Sequence, residues 1–317
     1  MELIRNLSDP GKSNHPCVAT IGNFDGVHVG HQAVISQLRK SADALGLPAV
    51  VMTFEPLPLE YFSPRTAPTR LTGFRQKIEL LERLSVDKVV CLRFGKTLAS
   101  LPADQFIKEL LVDGLGIKRL IVGDDFHFGK DRQGNIALLN ESAEKYGFEV
   151  IPTDTFDYNG VRVSSSLVRG HLALGDFEYV KELLGRPYQI SGKIIHGDKR
   201  GKTLGFPTAN IALKRPNTPL AGVYAVQVHG INDKVYGGVA NIGTRPVFSG
   251  DKVLLETFIF DFNEEIYGKR INVEFMKHLR DERDFFSVEE LCAQMEKDAE
   301  KARQFLARAK NKEKDER

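Results

Sequence analysis

The sequence predicts an α/β domain with a parallel sheet, Rossmann-like in class, followed by an all-β sandwich or small barrel that ends in a C-terminal helix. Three observations predict this. Apolar β-rich runs alternate with amphipathic helical stretches through the first half, and such alternation builds a parallel sheet covered on both faces. In the second half, short runs of β-branched and aromatic residues follow one another between turn residues, the pattern of a sandwich or barrel. The change falls at Leu184-Gly185-Arg186-Pro187, which sets domains at 1–185 and 186–310 with a charged tail, 311–317, expected to fray. Each is long enough to bury its own core.

Element by element, Cys17 to Ile21 reads as the first strand and Gly22 to Gly30 as a glycine-rich loop. A helix follows with Ile35, Leu38, Ala42 and Leu45 on one stripe and Gly46 as its stop. Ala49 to Phe54 is the next strand, and Glu55 to Pro68 a proline-interrupted loop. A helix near Phe74 to Leu84 precedes a strand from Lys88 to Phe94, and a helix near Ala103 to Val112 precedes a strand from Arg119 to Val122. Ligands on parallel sheets bind beyond the carboxyl ends of the strands. Beyond the boundary, Tyr188 to Ile195, Val223 to His229, Val235 to Ile242, Leu254 to Phe262 and Ile271 to Phe275 read as strands. The last helix begins near Ser287, with Glu290 placed for a capping box.

A net charge of +2 gives no field for nucleic acid or an anionic membrane, so neither is an expected partner. Three cysteines, Cys17, Cys91 and Cys292, are odd in number and far apart, which argues against a disulfide framework or a zinc cluster. Cys17 and Cys91 lie in apolar runs and read as buried thiols. Met1 to Pro10 has no apolar signal-peptide core, and no run reaches the length of a membrane span. The expected address is the cytoplasm.

The string GNFDGVHVGHQ, Gly22 to Gln32, sits where the first strand hands over to the first helix. Glycines let backbone approach a polyphosphate, and a helix N-terminus offers unpaired N–H groups and a positive dipole end. His28 and His31 flank Gly30 there, within reach of one phosphate or as two surface histidines beside a tight turn. No Gly-Lys-Ser/Thr follows, so this is not a Walker loop. Ser164, Ser165 and Ser166 form a hydroxyl run with Arg169 one helical turn on. They read either as a helix cap or as a second phosphate clamp.

In the second half, the glycine-rich, basic segment Gly192 to Ile211 suits a flap over phosphates, with Lys199, Arg200 and Gly201 at its centre. Thr208 and Asn210 share a face of an extended segment and carry neutral hard oxygens that suit a Mg2+–nucleotide complex. An ordinary basic loop is the other reading. Alternation puts Glu256 on one face with Phe258, Phe260 and Phe262. A carboxylate there needs a partner, an exit to water or a catalytic task, and partial burial would suit it as a general base.

GNFDGVHVGHQ, GDDFHFGKDRQG from Gly123 and SSSLVRGHLALGD from Ser164 together resemble the HxGH nucleotidyltransferases, and within them bacterial FAD synthetase, from about Thr20 through Gly185. The resemblance implies transfer of AMP from ATP to FMN, with His28, His31 and Arg169 catalytic. It places ATP on Gly22, Asn23, Phe24, Gly30 and Ser164 to Ser166, and the flavin near Asp125, Phe126 and Phe128. One departure is Leu57, where the family often has histidine in its FEPHP segment.

PTANI from Pro207, GVYAV from Gly222, GVANIGTRP from Gly238, LETFIFDF from Leu255 and IYGKRINVEF from Ile266 resemble riboflavin kinase, from about Arg186 to Ala302. That resemblance implies a Mg-ATP-dependent phosphorylation of the ribityl 5′-hydroxyl. Thr208 and Asn210 would hold metal and phosphate, and Glu256 would activate the hydroxyl. Val247 replaces a threonine often found there. Both resemblances in this order match the bifunctional riboflavin kinase/FAD synthetase family, with FMN and FAD as substrate and product rather than prosthetic groups. The alternatives are a kinase with a degenerate nucleotide-binding first half, and a non-enzymatic flavin-binding regulator.

Overall fold

The computed structural model describes residues 1–5, 7, 15–153, 156–196, 204–213, 218–245 and 252–315. Lys199, Arg200, Gly201 and Val247 lie outside the described residues. Contacts divide the chain into two compact units, Met1–Pro68 with Phe74–Ser164, and Thr69–Gly73 with Ser165–Arg317.

The first unit holds six parallel strands: β1 (Glu2–Ile4), β2 (Cys17–Ile21), β3 (Ala49–Glu55), β4 (Lys88–Arg93), β5 (Ile117–Gly123) and β6 (Glu149–Thr153). Their order is β1-β4-β3-β2-β5-β6. All five residues of β2 are buried, as a central strand covered on both faces requires. Alternate residues supply the two cores. Cys17, Ala19 and Ile21 pack with Met52, Leu111, Leu120 and Leu139 on one face; Val18 packs with Val51, Ile35, Leu38 and Leu81 on the other. Burial pushes the Cys17 thiol up to about 12. Cys17 and Cys91 are buried free thiols, as expected, and Cys292 is half-buried.

Helix α1 (Val29–Leu45) buries Ile35, Leu38 and Ala42 and stops at Gly46 in the left-handed region. Leu45, expected on the buried stripe, is 43% exposed in the last turn. A short helix, α2 (Pro58–Phe62), interrupts the loop expected after β3, and α3 (Phe74–Arg83) leads towards β4. The helix expected from Ala103 to Val112 is helical only to Gln105 in the ordinary sense. Phe106–Gly114 winds more widely, with Leu115 N donating to Leu110 O five residues back. Helix α4 (Ile136–Tyr146) and the edge strands β1 and β6 had no strong periodic signal, being short or only partly buried.

After a two-stranded ribbon, β7 (Asp157–Tyr158) with β8 (Val161–Arg162), the second unit starts with α5 (Ser165–Ala173) and α6 (Phe177–Leu184). A closed antiparallel barrel follows in the order β10-β13-β12-β11-β14-β9. Its strands are β9 (Gln189–Ile195), β10 (Thr208–Leu213), β11 (Gly222–Ile231), β12 (Lys234–Arg245), β13 (Lys252–Ile259) and β14 (Arg270–Arg280). The cross-strand row Ile211–Leu255–Ile242 is buried and fills the interior. A Cβ on Gly192 would lie 2.1 Å from Ile211 Cγ2, so that close approach admits only glycine. The alternate row faces outward, beneath the final helix α7 (Val288–Asp315). There Ala225, Phe260 and Ala302 form a second core with Phe258 and Leu306 against it. Helix α7 runs to Asp315, through most of the charged segment expected to fray. Ser287 Oγ caps it by accepting from Glu290 N at 3.1 Å, while Glu290 reaches back to Phe286 N.

Candidate functional site

In the first unit the connections leave β2 in one direction, through β3 to β4, and return across it to β5 and β6. The switch point lies between β2 and β5, where an open parallel sheet forms its ligand crevice. The loops after these two strands carry the expected residues. Phe24, Gly26 and Val27 have φ of 47°, 85° and 44°. Two non-glycine residues held in the left-handed region cost of order 1–3 kcal/mol each and mark a loop shaped by its surroundings. His28 caps α1, its Nδ1 accepting from His31 N at 3.3 Å. The two imidazoles stack with centroids 3.6 Å apart at 17°. A Cβ on Gly30 would meet His28 Nδ1 at 3.2 Å and Val163 O at 3.5 Å. The glycine therefore lets the ring and the backbone just before Ser164 close on the helix start.

Not every expected contact is a surface. Phe24 is 2% exposed, with its ring 5.1 Å from that of His31, so it supports the histidine from the core. Asn23 is exposed, and its carbonyl accepts from Lys77 Nζ at 2.7 Å and Thr53 Oγ1 at 3.4 Å. Asp125 pairs with Arg162 at 2.8 Å. Phe126 is half-buried and stacks on Phe128 at 5.4 Å. Phe128 itself is in the core against Phe106. Leu57 is 7% exposed and starts α2, its N donating to Glu60 Oε2 at 2.9 Å, so the departure from histidine fills this position with apolar volume.

The sequence reading passed over an aromatic group at the ends of β3 and β4. Tyr61 and Phe62, 39% and 60% exposed, each lie 5.6 Å from the ring of Phe94, which meets Phe54 edge-on at 5.7 Å. Proline interruptions hid the short helix that presents them, and only the exposed rings in a loop could have signalled it. Ser164 is half-buried at the end of this unit. Ser165 and Ser166 open α5 in the second unit, where Arg169 Nε donates to Thr69 O.

In the second unit the register brings three polar side chains into one row. Asn210 stands opposite Glu256, and Glu256 opposite Asn241. Thr208 lies two residues from Asn210 and opposite Phe258. All five line a cavity of about 350 Å³ closed by Phe206, Phe285, Leu291 and Met295. The aromatic and aliphatic walls suit a flat ring system, and the polar row lies at one part of the lining. Arg280 and Arg283 also line it. Both are committed to neighbours, Arg280 to Asp298 at 2.9 Å and Arg283 to Gln294 at 2.9 Å, and both lie over Phe285.

Thr208 also lines a second cavity of about 150 Å³ with Pro207, Ile266 and Tyr267. Beside it the rings of His196 and Tyr267 lie 3.9 Å apart. Asn210 is 7% exposed, and its Nδ2 donates to Thr208 O at 3.2 Å, which directs Oδ1 away from that carbonyl. Among the described residues no group of three or more His, Cys, Asp or Glu could hold a metal. The hard oxygens of Thr208 and Asn210 fit instead a Mg2+ whose shell is completed by substrate phosphates and water.

Comparison with known proteins matches a family model to each half of the chain. A family model for FAD synthetase matches residues 11–167, and one for riboflavin kinase matches residues 184–306. A protein of Haemophilus influenzae named bifunctional riboflavin kinase/FMN adenylyltransferase is 46% identical over 306 residues, 96% of this chain and 99% of its own. Proteins of the same name from Escherichia coli K12 and Pseudomonas fluorescens are 45% and 46% identical, covering 98% and 97% of this chain and 99% and 98% of their own. A crystal structure from Streptococcus pneumoniae, titled macrolide-efflux protein, superposes with a TM-score of 0.74 at 32% identity, over 95% of this chain and 98% of that one. No helix among the described residues is long and apolar enough to cross a membrane. With both models in tandem and this identity along nearly its whole length, the chain belongs to the bifunctional riboflavin kinase/FMN adenylyltransferase family.

Proposed function

We infer that the chain phosphorylates riboflavin with ATP to give FMN and ADP, then transfers AMP from a second ATP to FMN, releasing pyrophosphate and FAD. The observation that carries this reading is the convergence of Thr208, Asn210 and Glu256 on one aromatic-walled cavity. The family match and the stacked histidines of the first unit support the second step.

In the kinase reaction riboflavin takes the larger cavity, its ring against Phe206, Phe258 and Phe285 and its 5′-hydroxyl towards Glu256. Glu256 takes the hydroxyl proton as the oxygen attacks the γ-phosphorus of ATP in line. ATP takes the side shared through Thr208 with the second cavity, and the glycine-rich basic sequence with Lys199, Arg200 and Gly201 supplies the residue types that bind its phosphates. Thr208 and Asn210 would hold Mg2+, which would supply charge neutralisation at the phosphates.

In the transferase reaction the FMN phosphate is already ionised and needs no base. His28, His31 and the N–H groups at the start of α1 stabilise charge gathering on the triphosphate. Gly22, Asn23, Gly30 and Ser164 of the first unit supply further contacts to it, and the family resemblance implies the same role for Ser165, Ser166 and Arg169. The flavin ring rests by Asp125 and Phe126 or on the Tyr61–Phe62–Phe94 group. Phe24 and Phe128 act from the core beneath.

We assign the transferase to residues 1–185 and the kinase to 186–310, in a cytoplasmic enzyme. Incubation with ATP, Mg2+ and riboflavin tests the reading. FMN and FAD both forming supports it. FMN alone indicates a kinase with an inactive first domain, and neither product indicates a binding protein.

A further inference from the structure

Among the groups left unused by these two reactions, Lys77 is the most unusual. It is 1% exposed on the buried face of α3, beside Leu80 and Leu81. Lysine is almost never fully buried without a specific partner. Packing alone would be served by methionine or leucine at less cost in desolvation.

The amine reaches across 54 residues of sequence to donate to Asn23 O at 2.7 Å. Thr53, fully buried at the end region of β3, points its hydroxyl at the same carbonyl at 3.4 Å. Two buried donors therefore converge on one backbone oxygen. That oxygen belongs to the residue before Phe24, the first of three left-handed residues, with Gly26 and Val27, on the way to the cap at His28.

We propose that Lys77 is a positioning residue of the adenylyl-transfer site, pinning Asn23 so that the strained loop holds His28 and His31 against the triphosphate. The inference rests on the transferase reading of this loop. Lys77 touches neither substrate nor reacting atoms. Its effect passes through the Asn23 carbonyl, and Thr53 shares the task.

The test is steady-state kinetics of FAD synthesis from supplied FMN and of the reverse reaction, FAD with pyrophosphate giving FMN and ATP. The variants are K77M, T53V and, as a control, L139A, which opens the core on the opposite sheet face. K77M keeps side-chain volume, and we expect kcat for FAD synthesis to fall roughly tenfold to a hundredfold, as misplacement of a reacting group does. The KM for pyrophosphate should rise with it. T53V should shift both in the same direction, severalfold. L139A should melt earlier yet keep its kcat at low temperature, and kinase turnover should stand in all three.

Wild-type kcat in K77M, or an equal loss in L139A, overturns the proposal. Should K77M not fold, the isosteric T53V decides alone: a severalfold loss supports the pin and an unchanged kcat overturns it. A wild-type chain that makes no FAD would instead sink the transferase reading itself.

Discussion

Glu256 and Asn210 are direct cross-strand partners on the outward face of the barrel, although 46 residues separate them in sequence. Opposed residues on one face of an antiparallel pair have Cβ atoms about 4.5–5.5 Å apart. The proposed base and the proposed metal-binding oxygen are thus set by strand register rather than by a flexible loop. An Asn210→Ala variant should therefore need more Mg2+ for half-maximal kinase turnover, while FAD synthesis keeps its Mg2+ dependence. A Mg2+ titration of both activities checks this, and an unchanged kinase midpoint would remove Asn210 from the metal site.

His28 and His31 stack at 3.6 Å beside the helix start. Replacing either by alanine should abolish detectable FAD synthesis and leave FMN formation near normal. Loss of one such donor commonly costs about 2.7–4 kcal/mol in the transition state. Chromatography of products from each variant measures it, and near-normal FAD would exclude them from catalysis.

Phe177, 7% exposed in α6, meets Tyr224 edge-on at 5.9 Å and Phe275 at 6.3 Å. Tyr188 OH also donates to Leu71 O at 3.2 Å. Residues 186–317 alone should convert riboflavin to FMN but melt below a fragment that begins at Ser165. Phe177→Ala in the intact chain should lower the stability of this unit by about 3–5 kcal/mol. Calorimetry of the two fragments and the variant settles the order, and equal melting temperatures would contradict it.

Glu274 is 8% exposed, with Gln189 Nε2 at 2.8 Å and His229 Nε2 at 3.1 Å. Burial pushes its carboxyl up, but the hydrogen bonds from His229 and Gln189 outweigh this and hold it below the ordinary 4.5. A carboxylate depressed in the folded state contributes stability above its unfolded pKa and loses it as pH falls through the folded one. Barrel stability should fall as pH drops below 4.5, and Glu274→Gln should flatten that fall. Urea unfolding at a series of acid pH values would show it, and parallel pH curves for the two proteins would exclude Glu274.

The parallel sheet and the barrel were legible because β2 and α1 bury clean apolar patterns and the β-rich runs follow one another closely. Glu256, Thr208 and Asn210 stood out as polar residues on extended, otherwise apolar or basic segments. Their convergence was not legible, since pairing β10 with β13 is a long-range choice of register. Lys77 was missed for a similar reason. On the sequence it reads as one charge on an amphipathic helix, and only the fold carries it beneath Asn23. The wide turns at Phe106–Gly114 and the exposed Leu45 arise where tertiary packing overrides helical periodicity.

The central claim is that one chain carries two independent sites, with Glu256 serving only the first. A primary alcohol is a poor nucleophile at neutral pH, and general-base catalysis is worth about a hundredfold to ten-thousandfold. Glu256→Gln keeps size and hydrogen bonding while removing basicity. The most direct measurement follows both reactions on one folded preparation of this variant, FMN from riboflavin and FAD from supplied FMN. The account predicts that kinase turnover falls by about a hundredfold or more, while FAD synthesis proceeds at the wild-type rate. Wild-type FMN formation, or equal loss of both activities, would contradict it.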